Sequence, residues 1–126
     1  MKEEDHPLTR TYIFCAKLKA RVQELKLKVD EELRSLEKQL SSLREELRGK
    51  YGEGYLTIKW VKGKAGKKYR YAIYRVLKPK RRDIYLPKEA LTLLERIREL
   101  KKKAKELRKA EYMINMYMKA LEPYAP

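Results

Sequence analysis

The sequence contains one cysteine and one histidine, which limits the chemistry open to this chain. Cys15 alone cannot form an intramolecular disulfide, and Cys15 with His6 cannot supply the soft ligands of a metal cluster. Cys15 lies in an apolar run and is interpreted as a small buried residue. The sequence shows no nucleophile–base pair, no carboxylate dyad, no P-loop and no dinucleotide fingerprint. We therefore expect no catalytic activity, no cofactor and no small-molecule substrate.

Long hydrophobic runs are also absent. No stretch approaches the roughly 18 apolar residues of a membrane span, and the acidic, polar first ten residues lack a signal-peptide core. We expect a soluble cytoplasmic protein with no membrane partner. Asparagine and glutamine are scarce, while lysine, arginine and glutamate abound, a bias typical of hyperthermophile proteins. It favours a thermophilic archaeon or one of its viruses as the source, with the protein on the nucleoid, in the host cytoplasm or in the virion.

Proline and glycine are missing from residues 10–48. Nine apolar positions from Leu18 to Leu47 recur there at a mean spacing of about 3.6 residues, the period of an α-helix. Gly49, Gly52 and Gly54 are expected to end this helix. The helical pattern returns from residue 88 to about 121, after Pro87, which suits the first position of a helix.

Period-two alternation separates the two helices and predicts three short strands joined by a glycine–lysine turn and a proline-containing turn. The fold class expected is α+β, mostly α. An antiparallel coiled-coil hairpin of helices would carry a three-stranded antiparallel β-meander at its tip. We expect a single domain over 1–126, with a flexible tail (1–9), helix 1 (10–49), the basic β-meander (54–87) and helix 2 (88–121).

The predicted meander carries most of the charge. Residues 54–88 contain twelve lysines and arginines against a single acid, Asp83. Cations neutralise a phosphate backbone, and interleaved tyrosines can stack on bases. Lysines can also simply protect sheet edges from aggregation, but this excess of cations is larger than edge protection requires. We expect nucleic acid as partner, DNA in preference to RNA. The candidate binding residues are Lys59, Lys62, Lys64, Lys67, Lys68, Arg70, Tyr71, Tyr74, Arg75, Lys78, Lys80, Arg81 and Arg82.

The alternation does not predict which face of the sheet is exposed. Trp60 is in phase with Leu56 and Ile58 and is expected in the core. Tyr69 and Tyr71 share a face with Ile73, whereas Tyr74 belongs to the other face, and one of these two sets must point outward. A further basic run at residues 101–103 is interpreted as a solvated helix face.

The helix ends predicted to lie farthest from the sheet are apolar on nearly every side. A pair of helices cannot bury apolar residues on every side. Either a partner chain covers them or they form an exposed patch. We expect a homo-oligomer, with these contact residues: Tyr12, Ile13, Phe14, Met113, Met116 and Tyr117.

The meander resembles a pattern in small uncharacterised archaeal and archaeal-virus proteins. A glycine–lysine turn (63–68) precedes a tyrosine-rich strand (69–75), a basic turn (78–82) and a short Ile-Tyr-Leu strand (84–86) that leads into a helix. Cysteines present around the first turn in some relatives are absent here, so metal-linked behaviour is not implied. A similar three-stranded sheet contacts DNA in the arm-binding domains of phage-type integrases.

The order helix–meander–helix is also similar to archaeal prefoldin, whose hairpins assemble into a barrel and hold clients with their free helix ends. This resemblance implies an alternative function as a coiled-coil chaperone or a structural assembly protein. The charge departs from that pattern, because hairpins at about +11 each would repel one another in a barrel unless acidic subunits alternate with them.

Overall fold

The computed structural model describes residues 6–126 and contains two long helices, which a small sheet separates in the sequence. In chain order the elements are α1 (Pro7–Tyr51), β1 (Gly54–Lys62), β2 (Lys68–Val76), β3 (Arg82–Tyr85) and α2 (Lys88–Ala120), with short 3-10 turns at Lys64–Gly66 and Glu122–Tyr124. Helix, with the short 3-10 turns included, accounts for 69% of the described residues. The predicted α+β, mostly α class is therefore confirmed.

Helix α1 begins at Pro7, three residues earlier than the sequence predicts. Pro7 takes the first helical position, where a missing N–H costs nothing. The ring nitrogen Nδ1 of His6 accepts a hydrogen bond from the Leu8 amide at 3.1 Å and so caps the helix. Thr9 is only 3% exposed. The predicted flexible tail is thus wrong for residues 7–9, while residues 1–5 lie outside the described part of the chain.

Helix α1 also ends later than predicted. Gly49 remains helical, and the helix stops at Tyr51. Gly52 has a φ of 92°, and its amide donates to the Arg48 carbonyl at 2.9 Å. This is the left-handed C-terminal cap that glycine adopts without a steric penalty. A glycine inside a long helix costs only about 1 kcal/mol, so Gly49 alone does not end it.

The sheet is the predicted antiparallel meander, in the order β1-β2-β3. The β1–β2 register runs from Gly54 opposite Val76 to Lys62 opposite Lys68. Strand β3 pairs with the end of β2 and places Tyr85 opposite Ile73. Because directly paired residues share a face and successive residues alternate, this register assigns every strand residue to one of two faces.

The inner face of the sheet packs on the C-terminal turns of α1. Its core contains Leu47, Tyr74 and Val76. The half-buried apolar side chains around that core are Leu43, Tyr51, Leu56, Ile84 and Leu86. A Cβ built on Gly54 would clash with the Arg75 carbonyl and lie 2.9 Å from the Tyr74 ring, so only glycine allows β1 to start so close to β2.

Contacts divide the chain into two compact units, one formed by residues 33–100 and the other by residues up to 32 together with 101–126. In the second unit Lys26 of α1 pairs with Glu111 of α2 at 3.5 Å, and the ring of His6 stacks on Tyr124 with centroids 5.0 Å apart. Val22, Val29 and Ile114 are buried in this unit. These contacts are compatible with antiparallel helices, and coiled-coil pairing stays a prediction.

Among the described helices, none combines the length and the apolar character that crossing a membrane requires.

Candidate nucleic-acid interface

The cations of the meander fall into two groups that the sequence alone does not separate. Those in and beside the two turns are exposed, and none of them forms an ion pair with any residue in 6–126. We call those at the β1–β2 connection the first turn cluster and those at the β2–β3 connection the second turn cluster. The first contains Lys62, Lys64, Lys67 and Lys68, and the second contains Lys78, Lys80, Arg81 and Arg82.

Two cations in the middle of the sheet, Lys59 and Arg75, are both paired with the same carboxylate, that of Asp83. Asp83 accepts hydrogen bonds from Lys59 Nζ at 2.8 Å and from Arg75 Nε at 2.8 Å. The hydrogen bond from Arg75, and then that from Lys59, holds the pKa of the Asp83 carboxyl well below its usual range. The hydrogen bonds to Asp83 in turn raise the pKa of Lys59 and of Arg75. This triad keeps one net positive charge, but both of its cations are already held by Asp83.

Arg70 is engaged as well, at the edge of the inner face. Its guanidinium pairs with Glu95 of α2 at 3.2 Å and lies 5.9 Å from the centroid of the Trp60 ring. Trp60 is 59% exposed, so its predicted place in the core is wrong. Trp60 is in phase with the inner-face residues. However, the core formed with α1 lies at the Leu56 end of β1, four residues before Trp60.

The outer face of the sheet is aromatic and open. We call it the tyrosine face, because the strand register places four half-exposed tyrosine rings on it. The Tyr71 and Tyr85 rings meet edge to face at 5.5 Å, beside the fully buried Ile73. Its rings belong to Tyr55, Tyr69, Tyr71 and Tyr85.

The triad of Lys59, Arg75 and Asp83 also lies on the tyrosine face and positions its rings. Lys59 Nζ lies 5.6 Å from the centroid of the Tyr85 ring. The Arg75 guanidinium lies 6.0 Å from the Tyr55 ring and donates to the Tyr55 hydroxyl at 3.4 Å. Asp83, by holding both cations, fixes where these two rings stand.

Tyr74 does not belong to the interface, and its prediction as a binding residue is wrong. It lies on the inner face, only 2% exposed, and its hydroxyl donates to the Gly52 carbonyl at 2.6 Å. Tyr74 is therefore a core residue that ties the sheet to the end of α1. Tyr71, the other tyrosine predicted to bind, is on the open face.

The residues predicted to oligomerise differ in exposure. Phe14, Met113, Met116 and Tyr117 are exposed, and so is Tyr112 beside them. Tyr12 and Ile13 are half-buried. The exposed stripe on α2, together with Phe14 on α1, therefore offers apolar contact surface. We call this set the apolar patch; its residues are Phe14, Tyr112, Met113, Met116 and Tyr117.

Sequence reasoning missed the roles of Asp83, Glu95 and Tyr85. The sequence does show Asp83 as the single acid among twelve cations, and this could have predicted that Asp83 forms ion pairs that hold the sheet together. Tyr85 could join Tyr71 on one face only once the β2–β3 register was known, because a shift by one residue would have placed it on the other side.

No group of side chains in the described part of the chain could hold a metal ion. Comparisons with protein-family models, with curated proteins and with solved structures each found no match for this chain.

Proposed function

We propose that this protein is a non-enzymatic, cytoplasmic nucleic-acid-binding protein, with DNA favoured over RNA, that holds phosphates with the two turn clusters of its meander. The observation that carries the proposal is the set of eight exposed cations that have no acidic partner among residues 6–126. Such cations repel one another in the free protein, and neutralising phosphates relieves that repulsion while releasing counterions.

The placement of the clusters fits a polyanion better than a compact ligand. In a meander, successive turns lie at opposite ends of the middle strand. Strand β2 has nine residues, so the clusters are separated by about 25 Å at roughly 3.3 Å per residue. A single phosphate group cannot reach both, whereas a nucleic-acid backbone presents charges along that whole distance.

Edge protection does not account for these cations. Protective lysines act on the unpaired hydrogen-bonding edge of an outer strand. Most of the eight lie in the connections rather than along the outer edges of β1 and β3. Glu95 pairs with Arg70, and Asp83 pairs with Lys59 and Arg75, but neither acid pairs with a member of either turn cluster.

The test compares two double variants that remove the same charge. Arg81→Ala with Arg82→Ala should weaken binding to a short duplex at least about tenfold at moderate salt, because each phosphate contact carries part of the electrostatic affinity. Lys102→Ala with Lys103→Ala, exposed positions on α2, should change it much less. Fluorescence anisotropy measures both. Equal losses from the two pairs would place the binding surface on the helix.

Self-association is part of the proposal. The apolar patch exposes Phe14 at 64% and Tyr112 at 66%, and exposed aromatic and methionine side chains are the types enriched in protein interfaces. A second copy of this chain is the occupant we favour, since an oligomer would also multiply the number of basic meanders that engage one polyanion.

The same apolar patch favours a second candidate function, a prefoldin-like chaperone or assembly protein that holds unfolded clients. Suppression of the aggregation of an unfolded client, without salt-dependent retention on DNA or heparin, would support this alternative. The turn clusters, which lack acidic partners among residues 6–126, favour nucleic acid over this alternative. The amide-poor, charge-rich composition supports a hyperthermophilic archaeal or viral source.

A further inference from the structure

The tyrosine face carries a more specific inference, which rests on the proposed function and names its ligand. We propose that the ligand is a single strand, whose unpaired bases stack on the tyrosine face while the two turn clusters hold its phosphates. In a duplex the bases are stacked on one another, so a flat aromatic surface has no base face to contact.

The exposure of the rings supports this inference. Tyr55, Tyr69, Tyr71 and Tyr85 all retain more than two fifths of their accessible surface, whereas β2 buries three side chains on the opposite face: Ala72, Tyr74 and Val76. Both helices contact the inner face: Leu47 of α1 packs there, and Glu95 of α2 reaches Arg70 there. The outer face is thus left open by both helices.

The rings are also held in place before any ligand arrives. Asp83 fixes Lys59 and Arg75, and these cations lie against the Tyr85 and Tyr55 rings. Tyr71 meets Tyr85 edge to face at 87°. A platform whose side chains are already ordered loses less conformational entropy on binding.

Charge and aromatic surface occupy complementary places. The tyrosine face keeps only one net positive charge, because Asp83 pairs with both of its cations, Lys59 and Arg75, so it offers mainly stacking. The turn clusters at its two ends offer charge without rings. A strand that crosses the face can therefore place its bases on tyrosines and its backbone at the ends, the combination that single-strand-binding surfaces use.

The experiment first varies the ligand, so that it does not depend on a variant folding. Wild-type protein is titrated against a thymine strand of about 12 nucleotides, within the range that small single-strand-binding folds cover, and against an abasic strand with the same number of phosphates. The thymine strand should bind about tenfold or more tightly, since stacking is worth roughly this factor per base. Equal affinities would overturn the inference.

Protein variants then locate the effect. Tyr71→Leu with Tyr85→Leu should remove most of the advantage of the thymine strand over the abasic strand. The matched control, Tyr71→Phe with Tyr85→Phe, keeps both rings and should retain the advantage. Retention of the advantage by the leucine variant overturns the assignment to this face. Matching uracil strands show whether DNA or RNA is preferred.

The outcomes separate the two proposals. If wild-type protein binds neither single strands nor duplex, the proposed function itself is wrong. If it binds duplex at least as tightly as the thymine strand, and the leucine variant behaves like wild type, nucleic-acid binding stands and the single-strand inference is wrong.

Discussion

At the residue scale, Asp83 has the largest influence on the sheet. It is the only acid in residues 54–88, and it pairs with one cation from each of the other two strands, Lys59 of β1 and Arg75 of β2. The three side chains therefore cross-link β1, β2 and β3 on the outer face. Without Asp83, two adjacent cations would repel each other beside the exposed rings.

The lowered pKa of Asp83 predicts how stability depends on pH. A carboxylate whose pKa is depressed by folding stabilises the native state fully above its unfolded value, about 3.9, and this stabilisation is lost as the pH falls through the folded value. Asp83→Asn should therefore have a lower melting temperature than wild type at pH 7, and this difference should shrink below about pH 4. Thermal melts monitored by circular dichroism across this range measure it. A difference that is constant down to pH 2 would contradict the role given to Asp83.

At the scale of elements, the helices and strands could largely be predicted from the spacing of apolar residues along the sequence. The predicted strands and the start of α2 agree with the structure to within a residue or two. The ends of α1 were not readable, because the cap depends on which glycine takes the left-handed conformation, and that is Gly52 rather than Gly49. The exposed face of the sheet also could not be predicted, because it depends on where α1 and α2 pack.

The places of Trp60 and Tyr74 show the same limit. Both rings sit in phase with apolar inner-face positions, yet Trp60 is exposed and Tyr74 is buried. Alternation assigns a face but not the extent to which a helix covers it. Of the candidate binding residues, the turn clusters follow from sequence alone, whereas the ion pairing of Lys59, Arg70 and Arg75 required the positions of Asp83 and Glu95.

The packing of α1 on the sheet predicts a specific loss of stability. Leu47 is buried in the core with Tyr74 and Val76, so Leu47→Ala should reduce the free energy of unfolding by about 2–5 kcal/mol. The control is Leu27→Ala on the same helix, where the side chain is 65% exposed and the loss should stay below about 0.5 kcal/mol. Denaturant unfolding compares them, and equal losses would show that the core does not lie where α1 meets the inner face.

At the scale of the whole molecule, charge and apolar surface are separated between the two compact units. The turn clusters belong to residues 33–100, and the apolar patch belongs to the other unit. The proposed function assigns polyanion binding to the first and self-association to the second, so each should be removable without the other.

Self-association through the apolar patch is tested by adding charge to it. Phe14→Glu with Met116→Glu should give a smaller species in light scattering, because two carboxylates would have to be desolvated in the interface. The control is Leu27→Glu, which replaces an exposed leucine on the opposite side of α1 from Phe14, by helical rotation. It should leave the mass unchanged. A wild-type protein that is monomeric at high concentration would contradict the idea.

The central claim, that unneutralised cations hold a phosphate backbone, is tested most directly by the salt dependence of affinity. If about four to six of the eight turn-cluster cations reach one ligand, the logarithm of the binding constant should fall with the logarithm of salt concentration at a slope of about −3 to −4 for a single strand, or about −4 to −5 for a duplex. Anisotropy titrations over a series of salt concentrations give this slope. A slope near zero, or the absence of binding at low salt, would contradict the account.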